Sequence, residues 1–274
     1  MSSHHPLRDA DRAALVANVR RRLRSVADDL GAPLALPEER PGASVPLIGR
    51  VADPEPLMRA EEATARQDPT ALLRALGALA LIADSRRVVL AVREDLQDLH
   101  RTLTRLASGT VVQVVPVAAR YPRDDDSLRC EVAEALDRRP STFADAPVHG
   151  AVVLQDVALA LDGQGATERW VSVAGAVASP MTRPLPLGSS VEDAIGAAGG
   201  ATSVAWVCYE NGLLGGHRRS ADESIDLHTR ALLVLPAKHP RALADAAPLG
   251  DRVRQGAVAC QPCQLCSESC PVWL

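Results

Sequence analysis

The sequence predicts an α/β protein: a layer with a largely parallel sheet, then a small β-grasp module, then a cysteine-rich end. Three observations carry this reading. From about residue 46, short apolar β-branched runs alternate with helical patterns, and the runs are apolar on both faces, as buried parallel strands are. Near Glu168 the character shifts to alternating strands around one short helix. The last stretch, CQPCQLCSESCPVWL from Cys260 to Leu274, holds four of the six cysteines.

The elements follow in order. Leu15, Val16, Val19, Leu23, Val26 and Leu30 recur at three- and four-residue steps, which predicts a first helix stopped by Gly31. GAPLALPEERPGASVP reads as an irregular linker, so residues 1–45 form a helix and its tether. VPLIGRV is a short apolar strand. DPTALLRALGALALIAD is a helix capped by Asp68 with Pro69 in its first turn. RRVVLAV and TVVQVVPV are strands flanking the helix DLQDLHRTLTRLA, SLRCEVAEALDRR is a helix ended by Pro140, and GAVVLQDVALAL is a strand entering a helix. These fill an α/β domain over 46–166. RWVSVAGAV is a strand, SPMTRPLPLGSS turns, and SVEDAIGAAGG is a short helix ended by Gly199 and Gly200. SVAWVCYENG and ALLVLP are strands, which places a β-grasp domain over 167–237. Residues 238–274 read as a polar helical tail carrying the cysteines.

Composition narrows the function. A net charge of −4 argues against a protein built to bind nucleic acid, and the basic run Arg20, Arg21, Arg22 and Arg24 reads as a solvated helix face. Aromatics are 2% of residues with a single Phe, Phe143, so Ala, Val and Leu must build the core. No apolar stretch is long enough to span a bilayer, and MSSHHPLRDADR has no apolar secretory segment. A cytoplasmic setting is therefore expected, where clustered cysteines act as metal ligands rather than disulfides.

The cysteines run C-x2-C-x2-C-x3-C-P through Cys260, Cys263, Cys266 and Cys270. Such short spacing wraps a chain around the corners of a cubane and points to a [4Fe–4S] cluster. Zinc knuckles usually come in pairs separated by about a dozen residues, so zinc or an unfilled remnant is the weaker reading. In two-cluster ferredoxins the fourth cysteine of each run serves the other cluster. Here one run is present. The fourth ligand is then Cys270, a remote Cys208 or Cys130, or a thiol from a partner; a three-iron cluster is the further alternative. Cys208, on a strand, and Cys130, on a helix, read more simply as small buried hydrophobes.

The order of segments resembles the flavin-subunit family of respiratory complex I, closest to Rnf C subunits and the cobalamin reductases of propanediol-using microcompartments. VADPEPLMRAEE is similar to that family's N-A-E-x-E-P-L turn, and PVAARYPRDDDSLRCEVAEAL to its T-R-Y-P-Q-G-G segment. VSVAGAVASPMTRPLPLGSSVEDAIGAAGG resembles the soluble-ligand-binding β-grasp (SLBB) domain, YENGLLGG sits at a G-G-P-M-M-G element, and CQPCQLCSESCP matches the iron–sulfur motif. The resemblance implies a flavin-subunit-like α/β domain with relics of a flavin site at Asp53, Glu55, Tyr121 and Asp126. Departures point the other way. The glycine-rich flavin loop has no counterpart in residues 1–45. Arg50 or Val51 replaces an Asn, Asp124 and Asp125 replace a glycine pair, and Gln155 or Asp156 stands at another Asn. Weak or absent flavin and nicotinamide binding is expected, with FMN at an altered or shared site as the doubtful alternative.

The expected role is a soluble iron–sulfur electron-transfer subunit. It would pass single electrons between a reductant (ferredoxin, a flavoprotein or an NADH-linked partner) and a downstream acceptor. The resemblance also implies redox partner proteins, one of which could supply a second cluster motif, and a place inside a microcompartment or peripheral to a membrane complex. The alternatives are an NADH- or FMN-dependent reductase of the cobalamin-reductase type, and a non-redox SLBB module with structural zinc. The seven histidines are scattered without metal-binding spacing, and no G-x-S-x-G element or P-loop occurs. His217 reads as a surface histidine, Trp170 and Trp206 as core residues, and Trp273 as a packing or docking residue beside the cluster motif.

Overall fold

The computed structural model describes residues 9–26, 34, 45–262 and 264. Cys263, Cys266, Cys270 and Trp273 lie outside the described residues, as do Leu30 and Gly31. The chain divides into two compact units. The first comprises the described residues up to Ala52, with Glu61–Ala119 and Leu128–Thr167; the second comprises Asp53–Ala60, Arg120–Ser127 and the described residues from Glu168 onward. Two short excursions from the α/β stretch thus group with the later unit.

The first unit is built on a four-stranded, wholly parallel sheet of order β3-β2-β1-β4. Its strands are β1 (Leu47–Val51), β2 (Val88–Arg93), β3 (Val112–Val117) and β4 (Val148–Gly150). Every residue of β1 and β2 is buried, whereas the edge strand β3 mixes buried and exposed positions. The two-residue period of β2 sends Val88, Leu90 and Val92 into one apolar cluster and Val89 and Ala91 into the other. The first cluster takes the helices α1 (Asp9–Arg22), α3 (Pro69–Ala83), α4 (Gln97–Ala107) and α6 (Ala151–Leu161), while α5 (Asp125–Ala135) and Phe143 fill the second.

Helix α3 starts as expected: Asp68 accepts a hydrogen bond from the Ala71 N–H at 2.9 Å, with Pro69 in the first turn. A further helix, α2 (Ala60–Gln67), occupies what reads in sequence as the end of a turn. The apolar stripe of α1 is narrower than its spacing suggests. Val16 and Val19 are buried but Leu15 is 41% exposed, and α-helix gives way to a 3₁₀ turn at Leu23–Ser25. Its basic end is exposed, and Arg22 donates to the Leu161 carbonyl at the end of α6 at 2.6 Å. The run GAVVLQDVALAL differs from expectation: β4 ends at Gly150, so Val152, Val153 and Leu154 are helical and Gln155 and Asp156 lie on α6.

The second unit carries a five-stranded sheet of order β6-β5-β9-β7-β8. Its strands are β5 (Glu168–Gly175), β6 (Met181–Pro186), β7 (Trp206–Glu210), β8 (His217–Arg219) and β9 (Ala231–Pro236). The first and last of these, β5 and β9, are parallel neighbours at the centre and the other pairings are antiparallel. With α7 (Val191–Ala197) packed on one face, this is the β-grasp arrangement. The α7 start is a capping box between Ser190 and Asp193, as SSVEDAIG requires. The stretch MTRPLP, which reads as a turn because of its prolines, is strand β6. It sits at the sheet edge, where a proline lacking an N–H removes no interior ladder bond. Trp170 and Trp206 are half-buried rather than central core. Two helices close the described chain, α8 (Pro240–Ala246) and α9 (Leu249–Ala259). No helix among the described residues is long and apolar enough to cross a membrane.

Candidate functional site

In an open parallel sheet, ligands gather at the carboxyl ends of the strands where the winding direction reverses. Here the chain steps from β1 outward to β2 and β3, then returns to lay β4 on the other side of β1. The reversal point is therefore the crevice between the ends of β1 and β4, beside the first turn of α6. A helix start offers unpaired N–H groups and a positive dipole end, a natural place for a phosphate.

That position is filled from within. Glu61 on α2 is fully buried, and its Oε2 accepts the Val152 N–H of α6 at 3.2 Å. Its Oε1 lies 3.5 Å from Arg50 Nη2 on β1, an ion pair with side chains 0% and 7% exposed. Gly150 precedes the helix without a side-chain cap, and a β-carbon there would stand 2.3 Å from Glu61 Oε1. The glycine is what lets the carboxylate close over the helix end. A flavin phosphate does not fit this arrangement, because the anion it would supply is already present. Arg50 and Val51, which stand in the region of the family's Asn, are respectively paired to Glu61 and wholly buried.

The residues that resemble a relic flavin site fall in the second unit's excursions. Glu55 is 6% exposed, and its carboxylate accepts three backbone N–H groups: Leu213 at 2.6 Å and Leu214 at 2.8 Å on Oε2, and Gly215 at 2.6 Å on Oε1. Successive amides in such a loop form an anion nest. Glu55 thus holds this loop, both of its carboxylate oxygens accepting backbone N–H groups of the chain. Gly212 has φ +123°, and a β-carbon on it would sit 2.2 Å from the Glu55 carboxylate. Asn211 fixes the base of the same loop, its Oδ1 accepting the Arg230 and Ala231 N–H groups at 2.8 and 3.2 Å.

Asp53 is buried, Tyr121 is 36% exposed, and Asp126 is exposed in the first turn of α5. The Arg123 N–H donates to the Pro54 carbonyl at 3.0 Å, which ties the two excursions together. Asp124, which stands at the family's glycine pair, accepts the Ser127 N–H at 2.7 Å and so opens α5. The aspartates of RYPRDDDS start a helix, where negative charge is favourable.

Of the cysteine run, only Cys260 lies among the described residues. It is exposed, follows α9, and its backbone has left the helix for an extended conformation with ψ 117°. No group of three or more His, Cys, Asp or Glu side chains that could hold a metal occurs among the described residues. The remaining donors of the motif, Cys263, Cys266 and Cys270, lie outside them. Helix α8 is anchored ahead of this segment: Tyr209 donates its hydroxyl hydrogen to Asp245 Oδ2 at 2.6 Å.

The two remote thiols differ sharply. Cys208 on β7 is 1% exposed, and burial pushes its thiol up to about 12, so it stays protonated and is a poor ligand. Cys130 on α5 is exposed, contrary to its reading as a buried hydrophobe. Iodoacetamide at about pH 8 is expected to label Cys130 in the folded protein and to leave Cys208 unlabelled until denaturant is added. Native labelling of Cys208, read by peptide mass spectrometry, would contradict its burial. His217 on β8 is an exposed residue whose Nε2 lies 3.1 Å from the buried Glu210.

Residues 170–213 match the SLBB domain family. Over 233 residues the chain is 29% identical to the cobalamin reductase PduS of Salmonella typhimurium strain LT2, covering 80% of this chain and 50% of that protein. It is also 29% identical over 232 residues to the PduS of Citrobacter freundii, with the same coverage. The chain thus spans about half the length of the curated relatives it matches. Among solved structures, NAD+-reducing [NiFe]-hydrogenase shares the fold. The TM-score is 0.62 for the air-oxidised state and 0.65 for the H2-reduced state, at 18% identity. These superpositions cover 84% of this chain and 47% and 48% of the hydrogenase chains. The chain therefore carries an SLBB domain within a body similar to cobalamin reductase PduS, on a fold shared with NAD+-reducing hydrogenase.

Proposed function

We propose that this chain is an iron–sulfur electron-transfer subunit, passing single electrons between a ferredoxin, flavoprotein or NADH-linked reductant and a downstream acceptor. The observation that carries it is the C-x2-C-x2-C-x3-C-P run from Cys260 to Cys270 on a body similar to a named reductase. Four closely spaced thiols are a soft donor set suited to iron–sulfur binding. A [4Fe–4S] cluster, when bound, supplies one-electron chemistry. The chain's own part is to present the thiols. Cys260 would hold one corner from the exposed end of α9, with Cys263 and Cys266 next and Cys270 as the fourth ligand or as a ligand reaching into a partner's cluster. The SLBB domain and the α/β unit would carry the docking surfaces for the redox partners.

A reductase of the cobalamin-reductase type is the second reading, favoured by the similarity to PduS. It would require bound FMN, and the filled helix end at Glu61 speaks against an FMN phosphate in the β1–β4 crevice.

Anaerobic reconstitution with iron and sulfide tests the first reading. The expected product holds about four irons per chain and absorbs broadly near about 400 nm, and both features are lost in Cys263→Ser. Protein that takes up stoichiometric zinc but no iron would overturn it in favour of a non-redox SLBB module. Stoichiometric yellow flavin after purification, with NADH-driven dye reduction, would support the reductase instead.

A further inference from the structure

At the end of the parallel sheet opposite the β1–β4 crevice, where β2 and β3 begin, a cavity of about 200 Å³ opens in the first unit. Three arginines line it: Arg86 and Arg87 just before β2, and Arg138 after α5. Gln113 on the edge strand β3 and Thr142 add polar groups, and Phe143, which is 1% exposed, forms an apolar floor. Arg87 and Arg138 are exposed, and among the described residues neither guanidinium has a hydrogen-bond or ion-pair partner.

Like charges gathered around one cavity repel each other unless something negative sits between them. Each guanidinium offers a planar fork of N–H donors matched to the two oxygens of a carboxylate or phosphate. The apolar floor under them gives a short carbon skeleton a surface to rest on. The volume is below the roughly 300 Å³ at which pockets for whole small-molecule ligands begin, so a nucleotide or flavin is too large. A small, multiply charged oxyanion is the size that remains.

We propose that this cavity is an anion site for a small phosphate-bearing or polycarboxylate ligand, held by Arg87 and Arg138 over Phe143. The proposal stands or falls independently of the electron-transfer reading. Its recognition is by charge and fork geometry, with Gln113 and Thr142 completing the polar wall.

Thermal denaturation of the full chain, with ionic strength held constant by NaCl, tests it in two arms, pyrophosphate and citrate. The expected result is a saturable rise in Tm with at least one of them, and the arm that responds identifies phosphate or carboxylate chemistry. The Arg87→Gln/Arg138→Gln double variant is expected to weaken that binding about tenfold or more. Both side chains are exposed, so the core is left intact. Arg87→Lys/Arg138→Lys keeps the charge but removes the forks, and is expected to weaken binding as well, though less. A Tm that rises with neither anion at constant ionic strength, or double variants that bind like the parent chain, would overturn the site.

Discussion

Glu55→Ala is expected to lower the stability of the second unit by about 2–4 kcal/mol, measured by urea denaturation followed on the Trp170 and Trp206 fluorescence. The reason lies in the three N–H groups of Leu213, Leu214 and Gly215, which all converge on its two oxygens. A hydrogen bond to a charged group contributes about 1.5–3 kcal/mol, and an orphaned buried donor costs a comparable amount. Water entering the opened nest keeps the total below the sum of three such bonds. Glu55→Gln replaces one acceptor oxygen with a donor that faces an N–H, so it should recover little. Gly212→Ala is expected to destabilise through the same contact, since its β-carbon would sit 2.2 Å from the Glu55 carboxylate at φ +123°. The two changes should therefore be non-additive: with Glu55 already truncated, the alanine meets open space and only its backbone strain remains. Additive losses, or a Glu55→Ala protein as stable as the parent, would show that the carboxylate does not hold this loop.

Glu61→Ala is expected to cost about 3–5 kcal/mol, because it leaves Arg50 without its buried carboxylate and the start of α6 without an acceptor. A second readout separates this role from simple packing. With the carboxylate gone, the α6 N-terminus and Arg50 form an anion position, so phosphate should restore part of the loss in Glu61→Ala and add nothing to the parent chain. The comparison is made by denaturant titration at matched ionic strength. If the parent chain instead binds FMN tenfold or more tightly than riboflavin, a phosphate is accommodated. Glu61 would then not be the anion of that helix end.

Much of the architecture was legible from periodicity. The apolar runs gave β1, β2 and β3, Asp68 and Pro69 marked the start of α3, and SVEDAIGAAGG gave the short helix α7. Local patterns succeed there because each signal acts within a few residues of its own element. MTRPLP misled because a proline excludes only interior strand positions, and edge position is a property of the assembled sheet. GAVVLQDVALAL misled because a short apolar run suits a buried helix as well as a buried strand. Cys130 was expected to be buried, yet its helix turns it outward.

The site was less legible. The sequence marked Glu55, but as a residue for a bound cofactor; its role depends on amides about 160 residues away. Arg50 carried a readable signal, since a charge inside the apolar run LIGRV must find a partner if that strand is buried. The identity of that partner, Glu61, was not readable, because ten residues of intervening chain could have placed any of several acids there.

The sequence by itself determined β1, β2, β3, α3 and α7 through local periodicity, and the cysteine spacing from Cys260 to Cys270, while the SLBB stretch was read from a resemblance. Only the tertiary structure decided which carboxylates are occupied. Glu55 reads in sequence as a residue of a relic flavin site, while Glu61 carries no reading of its own. The fold brings three backbone N–H groups to Glu55, and the Val152 N–H with the Arg50 guanidinium to Glu61, since a buried charge is stable only where donors converge on it.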